Sequence, residues 1–125
     1  MRKVAGRGFT MMELMVALAI IALLLTLVAP RYLQQEAKAR EAALLYNLQM
    51  LRKTLDDFNA DEGHYPATLQ ALVESRYLRA IPVDPITGRA DTWRLKTPDD
   101  QESGIYDVGS GAQELALDGT RYADW

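Results

Sequence analysis

The sequence predicts an α+β chain in which a long N-terminal helix packs on a small C-terminal antiparallel sheet. Three observations carry that expectation. Residues 9 to 29 hold 18 apolar side chains out of 21, interrupted by Thr10, Glu13 and Thr26, and ~20 mostly apolar residues suffice for a helix to cross a bilayer. Beyond Pro30, Ala37, Leu44, Leu48, Leu51, Leu55 and Phe58 recur at three-, four- and seven-residue intervals, as one buried stripe of an amphipathic helix requires. After Gly63 that period stops, and two short β-prone runs follow, separated by turn residues.

The long helix is expected from about Thr10 to about Ala60, with Asp61-Glu62-Gly63 ending it and Gly63 as the left-handed stop. Pro30 removes one backbone donor from this helix and can kink it, although it also falls where the apolar segment ends. Arg31, Lys38, Arg40, Glu41, Arg52 and Lys53 fall on the remaining faces and read as solvated. A short helix over Leu69 to Ser75 should start at a Thr68 N-cap and turn Leu69, Leu72 and Val73 inward. Ile81 to Gly88 holds two prolines and a glycine and reads as loop and turn. Thr92 to Lys96 reads as a strand with Trp93 and Leu95 on one face, and Ile105 to Val108 as a second, joined by the polar connection Pro98 to Gly104. Gly109 to Trp125 reads as irregular, with a turn at Asp118-Gly119.

Composition excludes several functions. The chain of 125 residues has no cysteine and a single histidine, His64, so disulfide scaffolds and Cys- or His-based zinc sites are excluded. A Ser-His-Asp hydrolase would need His64 as its base, with nothing beside it to support that reading. No nucleophile–base pair stands out, so no catalytic residue is assigned and the chain is read as a non-enzyme. A formal net charge of −3 and the lack of a basic stripe after residue 40 give no footing for nucleic acid.

Arg2, Lys3 and Arg7 precede the apolar block and Arg31 follows it, which by the positive-inside rule puts the N-terminus in the cytoplasm and the chain from about Pro30 outside it. A cleaved signal peptide is one competing reading. The apolar run is longer than the usual ~7–15 residues, however, and Leu27-Val28-Ala29-Pro30 makes a poor cleavage site. A plain anchor is the other. It accounts for length and charge but not for Glu13, four residues inside the block, where a carboxylate costs ~2.5–3.5 kcal/mol at the centre of a bilayer and little near the headgroups.

Arg7-Gly8-Phe9-Thr10-Met11-Met12-Glu13-Leu14, followed by an apolar helix, resembles the type IV prepilin signature. The resemblance implies a leader of residues 1–8 removed by prepilin peptidase between Gly8 and Phe9, N-methylation of Phe9, a transmembrane and assembly helix at 9–30, and a periplasmic domain at 31–125. Losing Arg2, Lys3 and Arg7 leaves 11 basic against 17 acidic side chains, a net of −6 instead of −3. In a staggered helical bundle, Glu13 of one subunit can meet the cationic Phe9 amine of a neighbour, which relieves two desolvation penalties and fixes axial register. For Pro30 the resemblance favours a bend within one helix. Gly8 suits a peptidase that must reach backbone at the membrane surface.

Further along, Gly63-His64-Tyr65-Pro66, Leu69, Leu72-Val73, Tyr77-Leu78, Ile81-Pro82 and Asp84-Pro85 resemble the major, G-type pseudopilins of type II secretion systems. This implies a structural subunit of a periplasmic filament that drives protein export. It would be anchored in the bacterial inner membrane, with copies of itself, prepilin peptidase, the inner-membrane secretion platform and minor pseudopilins as partners. A pilin or minor pilin of a surface fibre is the alternative within the same class, and a membrane-anchored periplasmic binding module the alternative from another. The resemblance also implies a C-terminal calcium site. The tail offers Asp118 and Asp124, with Asp107 and Glu114 nearby, but no acid-rich run, and Ca²⁺ takes oxygen ligands alone.

Overall fold

A computed structural model describes residues 6–99 and 104–125. Positions 1–5 of the expected leader, and 100–103 of the Pro98–Gly104 connection, lie outside the described residues. The elements in order are α1 (Met11–Glu62), α2 (Leu69–Glu74), β1 (Arg94–Lys96), β2 (Asp107–Gly109) and a 3₁₀ turn at Tyr122–Asp124. The chain falls into two compact units, one ending at Glu36 and one spanning Ala37–Trp125.

In the first unit α1 is helical throughout, and Pro30 lies inside it. Its apolar side chains from Met11 to Val28 are exposed, so this stretch forms no part of a protein core. The Thr26 hydroxyl donates to the Leu23 carbonyl at 2.6 Å, which satisfies a polar group without help from solvent. The helix is long and apolar enough to cross a membrane.

The second unit folds on the rest of α1. Leu44, Leu48, Leu51 and Leu55 are fully buried and Phe58 nearly so. They meet Leu69 and Leu72 of α2, then Leu78, Trp93, Ile105, Val108, Ala112, Ala116 and Tyr122. The expected stripe is therefore the core, with Ala37 half-buried at its margin. Thr54 is also buried, its hydroxyl donating to the Met50 carbonyl at 2.7 Å. Gly63 stops α1 at φ 77°, a left-handed conformation that glycine adopts without a Cβ penalty. Its N–H donates to the Asn59 carbonyl at 2.9 Å. His64 packs edge-on to Phe58, ring centroids 5.6 Å apart.

The Thr68 side chain caps α2 by accepting from the Ala71 N–H. That helix ends at Glu74 and buries Leu69 and Leu72, while Val73 is half-buried. The sheet is shorter than expected and shifted. Antiparallel pairing joins Arg94 to Gly109, Leu95 to Val108 and Lys96 to Asp107. Trp93 and Leu95 do not share a face: Trp93 is buried and Leu95 is 48% exposed. Trp93 precedes the paired segment, so strand alternation does not reach it, and its indole N–H donates to the Pro82 carbonyl at 2.8 Å. Ile105 likewise precedes β2 and donates its N–H to the Pro66 carbonyl at 2.8 Å.

The loop Ile81–Gly88 is organised by Asp84, which is fully buried. One carboxylate oxygen accepts the Ile86 and Thr87 N–H groups at 2.9 and 3.3 Å. The other accepts the Ser110 hydroxyl at 2.6 Å, and Ser110 Oγ accepts the Ala112 N–H at 3.1 Å. Next to it Gly111 passes so close to the Thr92 carbonyl oxygen that an added Cβ would stand 1.9 Å away. Asp84→Ala strands buried donors and should cost about 3 kcal/mol. The expected outcome is a lower denaturant midpoint, and a midpoint equal to that of the parent chain would show the carboxylate to be dispensable.

Candidate functional site

At the start of α1, Thr10 and Glu13 form a reciprocal cap. The Thr10 carbonyl accepts the first helical bond, from the Leu14 N–H at 3.0 Å. The Thr10 hydroxyl accepts the Glu13 N–H at 3.1 Å, and Glu13 Oε2 accepts the Thr10 N–H at 3.4 Å. This is the capping-box geometry of a Thr-x-x-Glu start, and it satisfies two N–H groups that a helix end leaves open. The box ends the helix just after Phe9, so the Gly8–Phe9 bond lies in non-helical chain.

Phe9 is 84% exposed. Together with Arg7, Gly8 and Glu13 it lines a shallow recess of about 390 Å³. The structure thus brings Gly8, Phe9 and Glu13 together, whereas Pro30 lies farther along α1 with its side chain exposed. A Cβ at Gly8 would meet nothing within 4 Å. No contact among the described residues demands a glycine there.

The C-terminal loop is tied to α1 by two charged residues. Glu41 Oε1 accepts the Leu117 N–H at 2.7 Å and the Tyr122 hydroxyl at 2.9 Å. Burial, then the hydrogen bond to Glu41 and its charge, push the Tyr122 hydroxyl up to about 12, so it stays protonated and donates. Arg52 Nε donates to Asp107 Oδ1 at 2.9 Å, and its terminal nitrogen reaches the Val108 and Trp125 main-chain oxygens at 3.0 and 2.6 Å. Lys96 pairs with the other Asp107 oxygen at 3.1 Å. Burial alone would raise the Asp107 carboxyl, but hydrogen bonds from Lys96, Arg52 and the Val108 N–H outweigh it and hold the carboxyl below its ordinary 3.8. Glu41 and Arg52, expected to be merely solvated, are structural ties whose partners lie more than fifty residues away.

Asp118 and Asp124 line one groove of about 890 Å³ with Lys38, Glu41 and Arg121. Asp118 turns back on its own loop: Oδ1 accepts the Thr120 N–H at 3.0 Å and the Thr120 hydroxyl at 2.6 Å. Among the described residues, no group of three or more His, Asp or Glu side chains is placed to hold a metal ion.

Residues 5–29 match the family model of the prokaryotic N-terminal methylation motif. The chain is 31% identical to the type II secretion system core protein G of Escherichia coli (strain K12), over 86% of this chain and 82% of that relative. It belongs to the type II secretion core protein G family. The core protein G of Klebsiella michiganensis is 29% identical over 94% of the chain and 83% of the relative, and that of Klebsiella pneumoniae 35% identical over 63% and 68%. No solved structure matches the chain.

In this pseudopilin the motif match ends where the unburied apolar segment ends, so it covers the cap, the recess and the membrane-length stretch of α1. The capping role of Thr10 went unread in the sequence, although Thr-x-x-Glu before an apolar run is a capping signature that could have found it. Glu41 carried no local signal, because its partners are 76 and 81 residues away.

The lowered Asp107 carboxyl gives a pH prediction. Such a group adds stability that is full above its unfolded value and is lost as pH falls through the folded one. The pseudopilin should therefore lose stability as pH falls below the ordinary carboxyl value of 3.8, and Asp107→Asn should flatten part of that loss. Thermal melts of both proteins in detergent across that range check it, and parallel curves would remove Asp107 from the account.

Proposed function

We propose that this chain is a pseudopilus subunit of a type II secretion system, made as a precursor and polymerised through α1 to drive export of folded proteins across the outer membrane. The observation that carries this reading is the N-terminal arrangement. An exposed, non-helical Gly8–Phe9 bond stands directly before a capped, unburied apolar helix, in a member of the core protein G family.

Each residue takes a role by its chemistry. Cleavage between Gly8 and Phe9 by prepilin peptidase frees an α-amino group, which Phe9 carries into the filament in methylated form. Glu13, one turn further on, supplies the anion that pairs with the Phe9 amine of the neighbouring subunit. Pro30 removes a donor at the end of the apolar stretch and lets the helix adapt to packing among copies. The chain sits in the bacterial inner membrane as a single pass, N-terminus in the cytoplasm and residues 31–125 in the periplasm. Besides its own copies, its partners are prepilin peptidase, the inner-membrane secretion platform and minor pseudopilins. Its role is structural, with no catalytic residue assigned.

Intact-mass analysis of the membrane form should find a chain beginning at Phe9 and carrying one methyl group. A chain that retains residues 1–8, or one cut after Ala29, would overturn the proposal. Separately, Glu13→Val should be cleaved at close to the parental rate but lower filament yield about tenfold or more, on the order of one lost buried charge pair. Normal filament yield from that variant would sink the pairing role while leaving the processing role intact.

A further inference from the structure

We infer that the C-terminal loop of this chain is closed by two charged side chains of α1, Glu41 and Arg52, in place of a calcium ion, and that its order does not depend on calcium. A Ca²⁺ ion takes ~6–8 oxygen ligands, several of them carboxylates. The loop from Gly109 to Trp125 is described throughout, and its donors do not fit that demand. Asp118 Oδ1 already accepts two hydrogen bonds from Thr120. The groove it shares with Asp124 is also lined by Glu41, whose Oε1 is already engaged by Leu117 and Tyr122, and by Lys38 and Arg121, whose positive charges offset the carboxylates.

The work of a cross-linking ion is meanwhile done by α1. Glu41 holds the loop at Leu117 and Tyr122, and Arg52 holds β2 and Trp125. Inside the loop, Thr120 joins the two ends. Its carbonyl accepts the Ala116 N–H at 2.7 Å and its hydroxyl accepts the Trp125 indole N–H at 2.8 Å. Among the described residues no buried side-chain nitrogen or oxygen is left without a partner, so no orphaned group marks a place for a ligand.

Hydrogen exchange of the full-length chain in detergent tests this directly. Exchange is followed at the Ala116 and Leu117 amides, with a calcium chelator or with about 10 mM calcium chloride, a concentration above the ~10⁻⁴–10⁻³ M dissociation constants of weak extracellular calcium modules. The expected result is equal exchange, within about twofold, in the two media, because protection follows the population of the open form and nothing binds the closed one. A bound ion at ten times its dissociation constant would slow exchange about tenfold, and that outcome overturns the inference. Glu41→Ala should speed exchange at both amides about tenfold, to the same extent with and without calcium. Unchanged exchange in that variant would also overturn it. The comparison of media needs no variant and does not depend on N-terminal processing.

Discussion

Two paired strands of three residues and a helix of six are too short to hold together in water by themselves. The elements after Gly63 therefore depend on the stripe from Leu44 to Phe58 along α1. Each fully buried leucine there contributes ~1.5–3 kcal/mol, and α2, Trp93, Ile105, Val108 and Tyr122 gather on them. Upstream the same helix turns apolar side chains outward on every side. One continuous element thus serves two environments, and the sequence marks the change by interleaving charged residues between apolar ones spaced as a buried stripe.

Around this apolar base the fold is oriented by polar ties. Asp84 joins the Ile81–Gly88 loop to the segment at Ser110. Arg52 joins α1 to β2 and Trp125, and Glu41 joins α1 to the loop above the groove. Leucines in a stripe exclude water without dictating which loop lies over which turn of the helix. Hydrogen bonds with fixed donors and acceptors add that specificity, and a carboxylate shared by two or three donors does so most strongly, because losing it strands all of them.

Features written in neighbouring residues were legible in the sequence. The period of α1, the Gly63 stop, the Thr68 cap and the Asp118-Gly119 turn depend on residues within about one helical turn of each other, and each stands where the pattern put it. Strand limits were less legible. Trp93 and Ile105 are β-formers by type, yet their backbones pair with nothing in the sheet, and tertiary packing buries them just outside it. The ties of Glu41, Arg52 and Asp84 were not legible at all, since a charged residue on a helix face or in a loop looks the same whether solvent or a distant N–H completes it. At the N-terminus, Gly8, Phe9 and Glu13 stood out by their order along the chain. The part of Thr10 was hidden because Glu13 already had an explanation between subunits, and the bond within the chain came second.

The long reach of these ties also bears on the order in which the chain acquires structure during synthesis. The Arg52–Trp125 and Glu41–Tyr122 bonds span 73 and 81 residues, and contacts so far apart in sequence form late. A ribosome finishes α1 long before it makes the residues that fasten it. Until Trp125 is present the leucine stripe has no complete cover. A nascent chain therefore completes these ties only once Tyr122 and Trp125 have been made, so the cover over the leucine stripe closes well after the helix that carries it.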